Sequence, residues 1–250
     1  MLVVTLVTVV GGASVPTAAS SATPSRAAKV SAVACTPRST PGQRWVQAVY
    51  RELLGRCAEE AAAKHGDAIV ADPGKRGAYT RSIVRSIENG YRWVNHWTRT
   101  YCGRPARENE GRSYANKLAI TAPNDNPDRW EYVHGLVLDE YCAYKHFGGT
   151  DEDYVRGIFQ LIFGRAPSAS DVTRWKNYSG LGMSLKLSGS SEGRRVQVRR
   201  SYLDVLGRAA KQADLDYWMP RLLANHGYDK LNLDAALAAS NEFVRKAQST

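Results

Sequence analysis

The stretch Tyr154–Arg165, YVRGIFQLIFGR, closes an apolar run with Gly-Arg, and the same ending recurs along the chain. The pairs are Gly55-Arg56, Gly103-Arg104, Gly164-Arg165 and Gly207-Arg208, at intervals of roughly 40 to 60 residues, the size of two or three short helices. Aligned on the glycine without gaps, the four stretches share their apolar positions. Nine residues before it lie Val46, Val94, Val155 and Val198, and five before lie Tyr50, Thr98, Phe159 and Tyr202. Two before lie Leu53, Tyr101, Ile162 and Val205, and one before lie Leu54, Cys102, Phe163 and Leu206. This is the i, i+4, i+7, i+8 stripe of a helix with one buried face. Glycine then ends the helix in the left-handed conformation that a Cβ would strain. The arginine after it is expected to bond the last free carbonyls of its own helix, or to sit against the negative end of the dipole. The phrase is a helix with its stop signal and requires no ligand.

Downstream of three stops the pattern continues, with an acid seven residues on (Glu110, Asp171, Asp214) and an aromatic eleven on (Tyr114, Trp175, Trp218). In RAPSASDVTRW the expected N-cap is Ser170, with Asp171 in the first helical turn. The first unit departs from this pattern, carrying Gly66 at the aromatic position. Each unit then closes on a helix bearing a glutamate: Glu88, Glu140, Glu192 and Glu242. Three of these follow a serine by two positions (Ser86, Ser190, Ser240), the mark of a capped helix start. Each glutamate is expected to face the Gly-Arg arginine of an adjacent unit.

The 250-residue chain is 43% apolar and 23% charged, ordinary for a globular fold. Its opening, MLVVTLVTVVGGASVPTAASSA, has an apolar run from Leu2 to Val10, too short to span a bilayer and followed by small residues. Residues 1–41 are read as a signal peptide and a Ser/Ala/Pro linker, with no transmembrane segment in the mature chain. Export implies an oxidising compartment, where Cys35, Cys57, Cys102 and Cys142 pair as disulfides. Three pairings are open; Cys35–Cys57 with Cys102–Cys142 is preferred. The fold class is all-α, built from degenerate helical repeats in two tandem subdomains, 42–147 and 148–250, with the boundary at Phe147-Gly148-Gly149.

The phrases YVRGIFQLIFGRAPSASDVTRW, SYLDVLGRAAKQADLDYW, GGTDEDYV and LAASNEFVRKAQ resemble the bacterial domain of unknown function 4214, whose helical layout is similar to that of the phycobilisome linker domain. The resemblance covers Gly148–Gln248 clearly and Arg44–Lys145 more weakly. It implies an exported or surface-associated all-helical module and carries no catalytic residues with it. The Gly-Gly-x-Gly-x-Asp calcium repeats that often accompany the family do not occur in this sequence.

No His-Glu-x-x-His pair, Gly-x-Ser-x-Gly elbow or Cys-x-x-Cys pair is written in the chain, so neither a catalytic residue nor a metal or cofactor is expected. The tightest polar cluster is His134, Asp139, Glu140 and His146, but His134 and Asp139 are spaced i, i+5 and do not share a helix face. Aromatic faces stack on sugars, which singles out Trp130 in a loop, and Trp93 and Trp45 at a position where another unit has Gln197. Trp97, Trp175 and Trp218 are read as core. GRRVQVRR, with Arg194 and Arg195, spreads its charge around a helix, which disfavours specific nucleic-acid reading. A net charge of +10 favours anionic cell-envelope polymers or surface proteins as partners. The expected function is a secreted, non-catalytic structural or interaction module at the cell envelope or extracellular matrix. The alternative is a secreted hydrolase of cell-wall glycan or peptide, which requires a concave site with converging carboxylates or a carboxylate-oriented histidine.

Overall fold

The computed structural model describes residues 34–119, 129–223 and 229–249; the apolar opening segment and its cleavage sites lie outside these. The described residues are all-α, with no strand among them. In order the helices are α1 (Pro41–Leu53), α2 (Glu60–Ala63), α3 (Gly66–Val70), α4 (Pro73–Val84), α5 (Ile87–Cys102), α6 (Glu108–Ala119), α7 (Arg129–Leu138) and α8 (Tyr141–His146). There follow α9 (Asp151–Phe163), α10 (Ala169–Trp175), α11 (Gly180–Ser188), α12 (Ser191–Ser201), α13 (Gln212–Leu223), α14 (Lys230–Ala239) and α15 (Asn241–Gln248). Between α12 and α13 a π-helical segment, Tyr202–Leu206, finishes the turn before Gly207.

Each Gly-Arg pair forms a corner of the same construction. The glycines Gly55, Gly103, Gly164 and Gly207 all have φ between 65° and 74°, the left-handed region that penalises any Cβ. The arginine then turns forward. Its Nη1 donates to the carbonyl of the next residue in all four corners: Cys57 (3.0 Å), Pro105 (3.0 Å), Ala166 (3.1 Å) and Ala209 (3.0 Å). This corrects the expectation that it would cap its own helix. The carbonyls at those helix ends accept instead from a cation on a distant helix: Arg92 to Leu53 (2.9 Å), Arg200 to Leu161 (2.7 Å) and Lys246 to Val205 (2.8 Å).

Three corner arginines grip a distal glutamate with two parallel bonds. Arg165 holds Glu192 at 2.7 and 2.9 Å, Arg208 holds Glu242 at 2.5 and 2.9 Å, and Arg56 holds Glu88 in the same two-pronged way. A planar guanidinium matches a carboxylate in this manner where an ammonium cannot. The guanidinium also lies over the aromatic five residues before its glycine, Tyr50, Phe159 or Tyr202, at 4.8, 5.3 and 4.8 Å. The second corner is different. Thr98 replaces the aromatic, and Arg104 pairs with Glu110 (2.7 and 3.1 Å) while Glu140 accepts from the Tyr114 hydroxyl (2.7 Å). Here a disulfide, Cys102–Cys142, joins the end of α5 to α8; the other bridge is Cys35–Cys57.

The distal glutamates sit in first helical turns behind serine caps, with Ser86, Ser190 and Ser240 accepting from Asn89, Gly193 and Phe243 N–H. At α10 the cap is Ser168, not Ser170. Ser168 Oγ accepts from Asp171 N–H, and Asp171 accepts from Ser168 N–H, a reciprocal capping box. α5 carries the glutamate of one corner in its first turn and ends at the glycine of the next; α12 does the same, reaching its glycine through the π segment.

The described residues fall within one compact unit sharing one apolar core. α4 packs along α14, α7 along α11 and α1 against α15, so elements from both sides of Phe147–Gly149 interleave, and that stretch is the turn between α8 and α9. Gly135 permits the α7–α11 approach, since a Cβ there would meet Leu181 Cα at 2.8 Å. Buried Arg76 ties α4 to the end of α14 through the Ala239 carbonyl (2.9 Å) and Asn241 (2.6 Å).

Two outcomes follow for urea unfolding. Arg208→Ala, which removes a two-pronged, partly shielded pair, costs about 1–2 kcal/mol, whereas Arg112→Ala, in an exposed i, i+4 pair with Glu108, changes stability by less than about 0.5 kcal/mol. Cys102→Ser with Cys142→Ser costs about 2–4 kcal/mol, because that corner lacks the glutamate clamp.

Candidate functional site

The titratable and aromatic side chains concentrate where α5, α7, α11, α12 and α14 converge. At the bottom lies His134 on α7, 4% exposed. Its Nε2 is 2.7 Å from the Tyr101 hydroxyl and its Nδ1 is 2.8 Å from Ser184 Oγ. Ser184 Oγ also lies 3.0 Å from the Glu131 carbonyl, which can only accept. The serine proton therefore goes to that carbonyl, His134 donates from Nδ1 to the serine, and Tyr101 donates to Nε2. Every group is satisfied and the chain ends on backbone, so this histidine is a neutral core element. Burial first, then Arg200 and His96, hold it far down, at about 3.

Beside it, Glu131 accepts from Arg194 Nη1 (2.5 Å) and Gln197 Nε2 (2.8 Å), all three buried. Arg194, expected as an exposed binding residue, is thus an interior ion-pair member, and Arg195 alone of the two is exposed. Trp130, expected at the surface, is 8% exposed; it stacks on the His134 ring at 5.0 Å and meets Trp97 edge-on at 5.3 Å. Trp45 is fully buried and donates to the Ala238 carbonyl at 3.1 Å. Trp93 is half-buried. The cluster His134, Asp139, Glu140 and His146 is divided among different partners. Asp139 accepts from Leu181 N–H (3.1 Å), Glu140 from Tyr114, and His146 lies against Gly103. Among the described residues no group of His, Cys, Asp or Glu is arranged to hold a metal ion.

Above this floor is a ring of charge that the sequence pattern did not single out. Lys230, at the start of α14, lies 4.9 Å from the Trp93 ring centre and pairs with Asp234 at 2.7 Å. Arg92 lies 5.3 Å from the same ring, and His96 meets it edge-on at 5.9 Å. The π segment, packed on α14, brings Asp204 within electrostatic reach of Lys230, Asp234, Arg200 and Arg92. Arg92, His96, Arg200 and Asp204 are accessible to solvent, yet the largest influence on each is desolvation by surrounding protein. Burial, Arg92 and Lys230 push His96 below its ordinary range; burial pushes the Asp204 carboxyl up, partly offset by Lys230. One signal was present in the sequence: an aspartate inside the apolar ending YLDVLGR.

Asp229, buried at the N-cap of α14, accepts from Asn232 N–H at 2.8 Å; burial first and Glu131 second push it up to about 7. His134 and Asp229 act on stability with opposite signs. Below about pH 6.5 the unfolded chain protonates His134 and the folded one does not, so stability is lost as pH falls. Between about pH 4 and 7 the folded chain holds the Asp229 proton that the unfolded one releases, so stability is lost as pH rises. The two slopes, each about 1.4 kcal/mol per pH unit, cancel between about pH 4 and 6.5. Asp229→Asn keeps the cap and removes one slope: its urea stability falls by about 1.4 kcal/mol more per pH unit of acidification in that window than that of the native chain. An unaltered slope would mean that Asp229 is ionised in the folded protein.

No family model, curated protein or solved structure matches this chain.

Proposed function

We propose that the chain is a secreted, non-catalytic interaction module that contacts anionic polymers of a cell envelope or extracellular matrix. One observation carries this reading: several glutamates are taken up in ion pairs with arginines of the chain while some exposed arginines are not. Glu59, Glu88, Glu110, Glu192 and Glu242 hold the corner arginines, and Glu131 holds buried Arg194. Arg195 and Arg199, one turn apart on α12, and Arg99 on α5 are exposed and enter no ion pair among the described residues. With a net charge of +10, the field outside the molecule is positive and draws polyanions.

Further features support the same reading. Two disulfides fit a chain matured in an oxidising compartment, and among the described residues no helix is long and apolar enough to cross a membrane. The apolar opening segment supports export. The recurring helix endings support kinship with the exported bacterial domain of unknown function 4214 and descent of the fold from a repeated helical unit.

The test is cosedimentation of the mature protein with cell-wall sacculi at low and high salt, with and without their anionic polymers stripped. Retention is expected at low salt, and is lost when salt rises or the polymers are removed. Arg195→Ala with Arg199→Ala weakens retention without altering the unfolding midpoint by more than about 0.5 kcal/mol equivalent. Absence of retention under every condition overturns the reading.

A further inference from the structure

We propose that the turn between α10 and α11, with Arg174, Trp175, Tyr178 and Lys186, is the docking surface for a carboxylated polysaccharide, a chain of sugar rings bearing uronic-acid groups. The inference deepens the polyanion reading above and rests on it.

The surface is continuous by direct contact. The Arg174 guanidinium lies 5.4 Å from the Trp175 ring centre, Trp175 lies 4.8 Å from Tyr178, and Lys186 Nζ lies 5.8 Å from the Tyr178 ring centre. Trp175 is 8% exposed and forms the base, while Tyr178 is 40% exposed against it. Arg174, Lys176, Asn177 and Lys186 are exposed as well. An exposed tyrosine seated on a buried tryptophan offers ring area at little cost in side-chain freedom, and its polar tip stays wet. The Tyr178 hydroxyl and the Asn177 amide enter no hydrogen bond among the described residues, which leaves both for sugar hydroxyls.

Charge selects the anion. From Val172 to Ser191 the chain carries Arg174, Lys176 and Lys186 and no carboxylate. None of the three cations enters an ion pair among the described residues. The flanking acids Asp171 and Glu192 are both held by Arg165. Among the described residues the one carboxylate bonded into the stretch is Asp139, on the Leu181 N–H, so cations outnumber it three to one. Arg174 keeps all five N–H donors, and the guanidinium fork fits a carboxylate with two parallel bonds, as Arg165 does on Glu192. The corresponding turn after Gly207 supplies a contrast. Tyr217 is 53% exposed there beside buried Trp218, but Arg221 lies 3.6 Å from the centre of its ring and the exposed Asp216 adjoins it.

The experiment is calorimetric titration of the full chain with a uronic-acid oligomer, polyglutamate of the same charge and a single-stranded oligonucleotide. The native protein is compared with Tyr178→Ala, Lys186→Gln and Tyr217→Ala, all at exposed positions, and the unfolding midpoint verifies that each variant is folded. The uronic-acid oligomer is expected to bind, with Kd raised roughly tenfold by Tyr178→Ala, roughly threefold by Lys186→Gln and less than about twofold by Tyr217→Ala. Polyglutamate binds more weakly and is indifferent to Tyr178. Uronic-acid binding that survives Tyr178→Ala unchanged overturns this surface while leaving the polyanion reading intact. Polyglutamate binding lost equally in that variant overturns the saccharide assignment, and a tighter, Tyr178-dependent grip on the oligonucleotide replaces it with nucleic acid. If the uronic-acid oligomer does not bind the native chain, the inference fails, and sacculus retention independently decides whether the broader reading fails with it.

Discussion

The fold depends on what one guanidinium does at a helix end. After each left-handed glycine, a single planar side chain serves the carbonyl ahead of it and an acid at the next helix start. In three corners it also serves a glutamate on a distant helix and an aromatic ring beneath it. Lysine has one charge centre and no plane, and could satisfy only part of that set. Because the bonds point in fixed directions, the arginine sets the angle at which the next helices leave. Where the ring is missing, at Thr98, the arginine reaches Cys142 Sγ at 3.8 Å in place of the distant glutamate, and a covalent bridge holds that junction.

The helix endings were legible because they are local. A period of 3.6 residues, a glycine with positive φ and a serine cap are set by neighbours in the chain, and they show in the spacing of Val94, Thr98 and Tyr101 before Gly103. The choice between Ser168 and Ser170 as cap was not legible, since both hydroxyls stand in the same turn and only the reciprocal bond with Asp171 decides it. Trp130 and Arg194 escaped prediction for a different reason. Each is buried by partners far away in sequence: Trp130 by Trp97 and Trp93 on α5, Arg194 by Glu131 on α7. The charged grouping around Trp93, Asp204 and Lys230 is likewise a product of three separate segments and leaves little trace in any one of them.

The interior is polar to an unusual depth, and its groups are arranged so that their costs oppose each other. His134 is kept neutral by a donor chain that runs out at a carbonyl, while Asp229 retains its proton near Glu131. A buried base that resists protonation and a buried acid that resists ionisation give stability slopes of opposite sign. A chain that meets shifting acidity gains from such balance, since neither group alone sets its tolerance.

Helices α5 and α12 join successive corners, and the residue count from Glu88 to Gly103 equals that from Glu192 to Gly207. At 1.5 Å per residue the α5 span is a strut of roughly 22 Å, and the second span reaches its glycine through the π segment Tyr202–Leu206. Adding a single residue to a strut would swing one clamp about 100° away from its partner, whereas the loops between struts already differ in length. Insertions and deletions in descendants of this sequence should therefore collect in the loops and spare the struts, giving the molecule an inherited yardstick that sequence drift can decorate but not stretch.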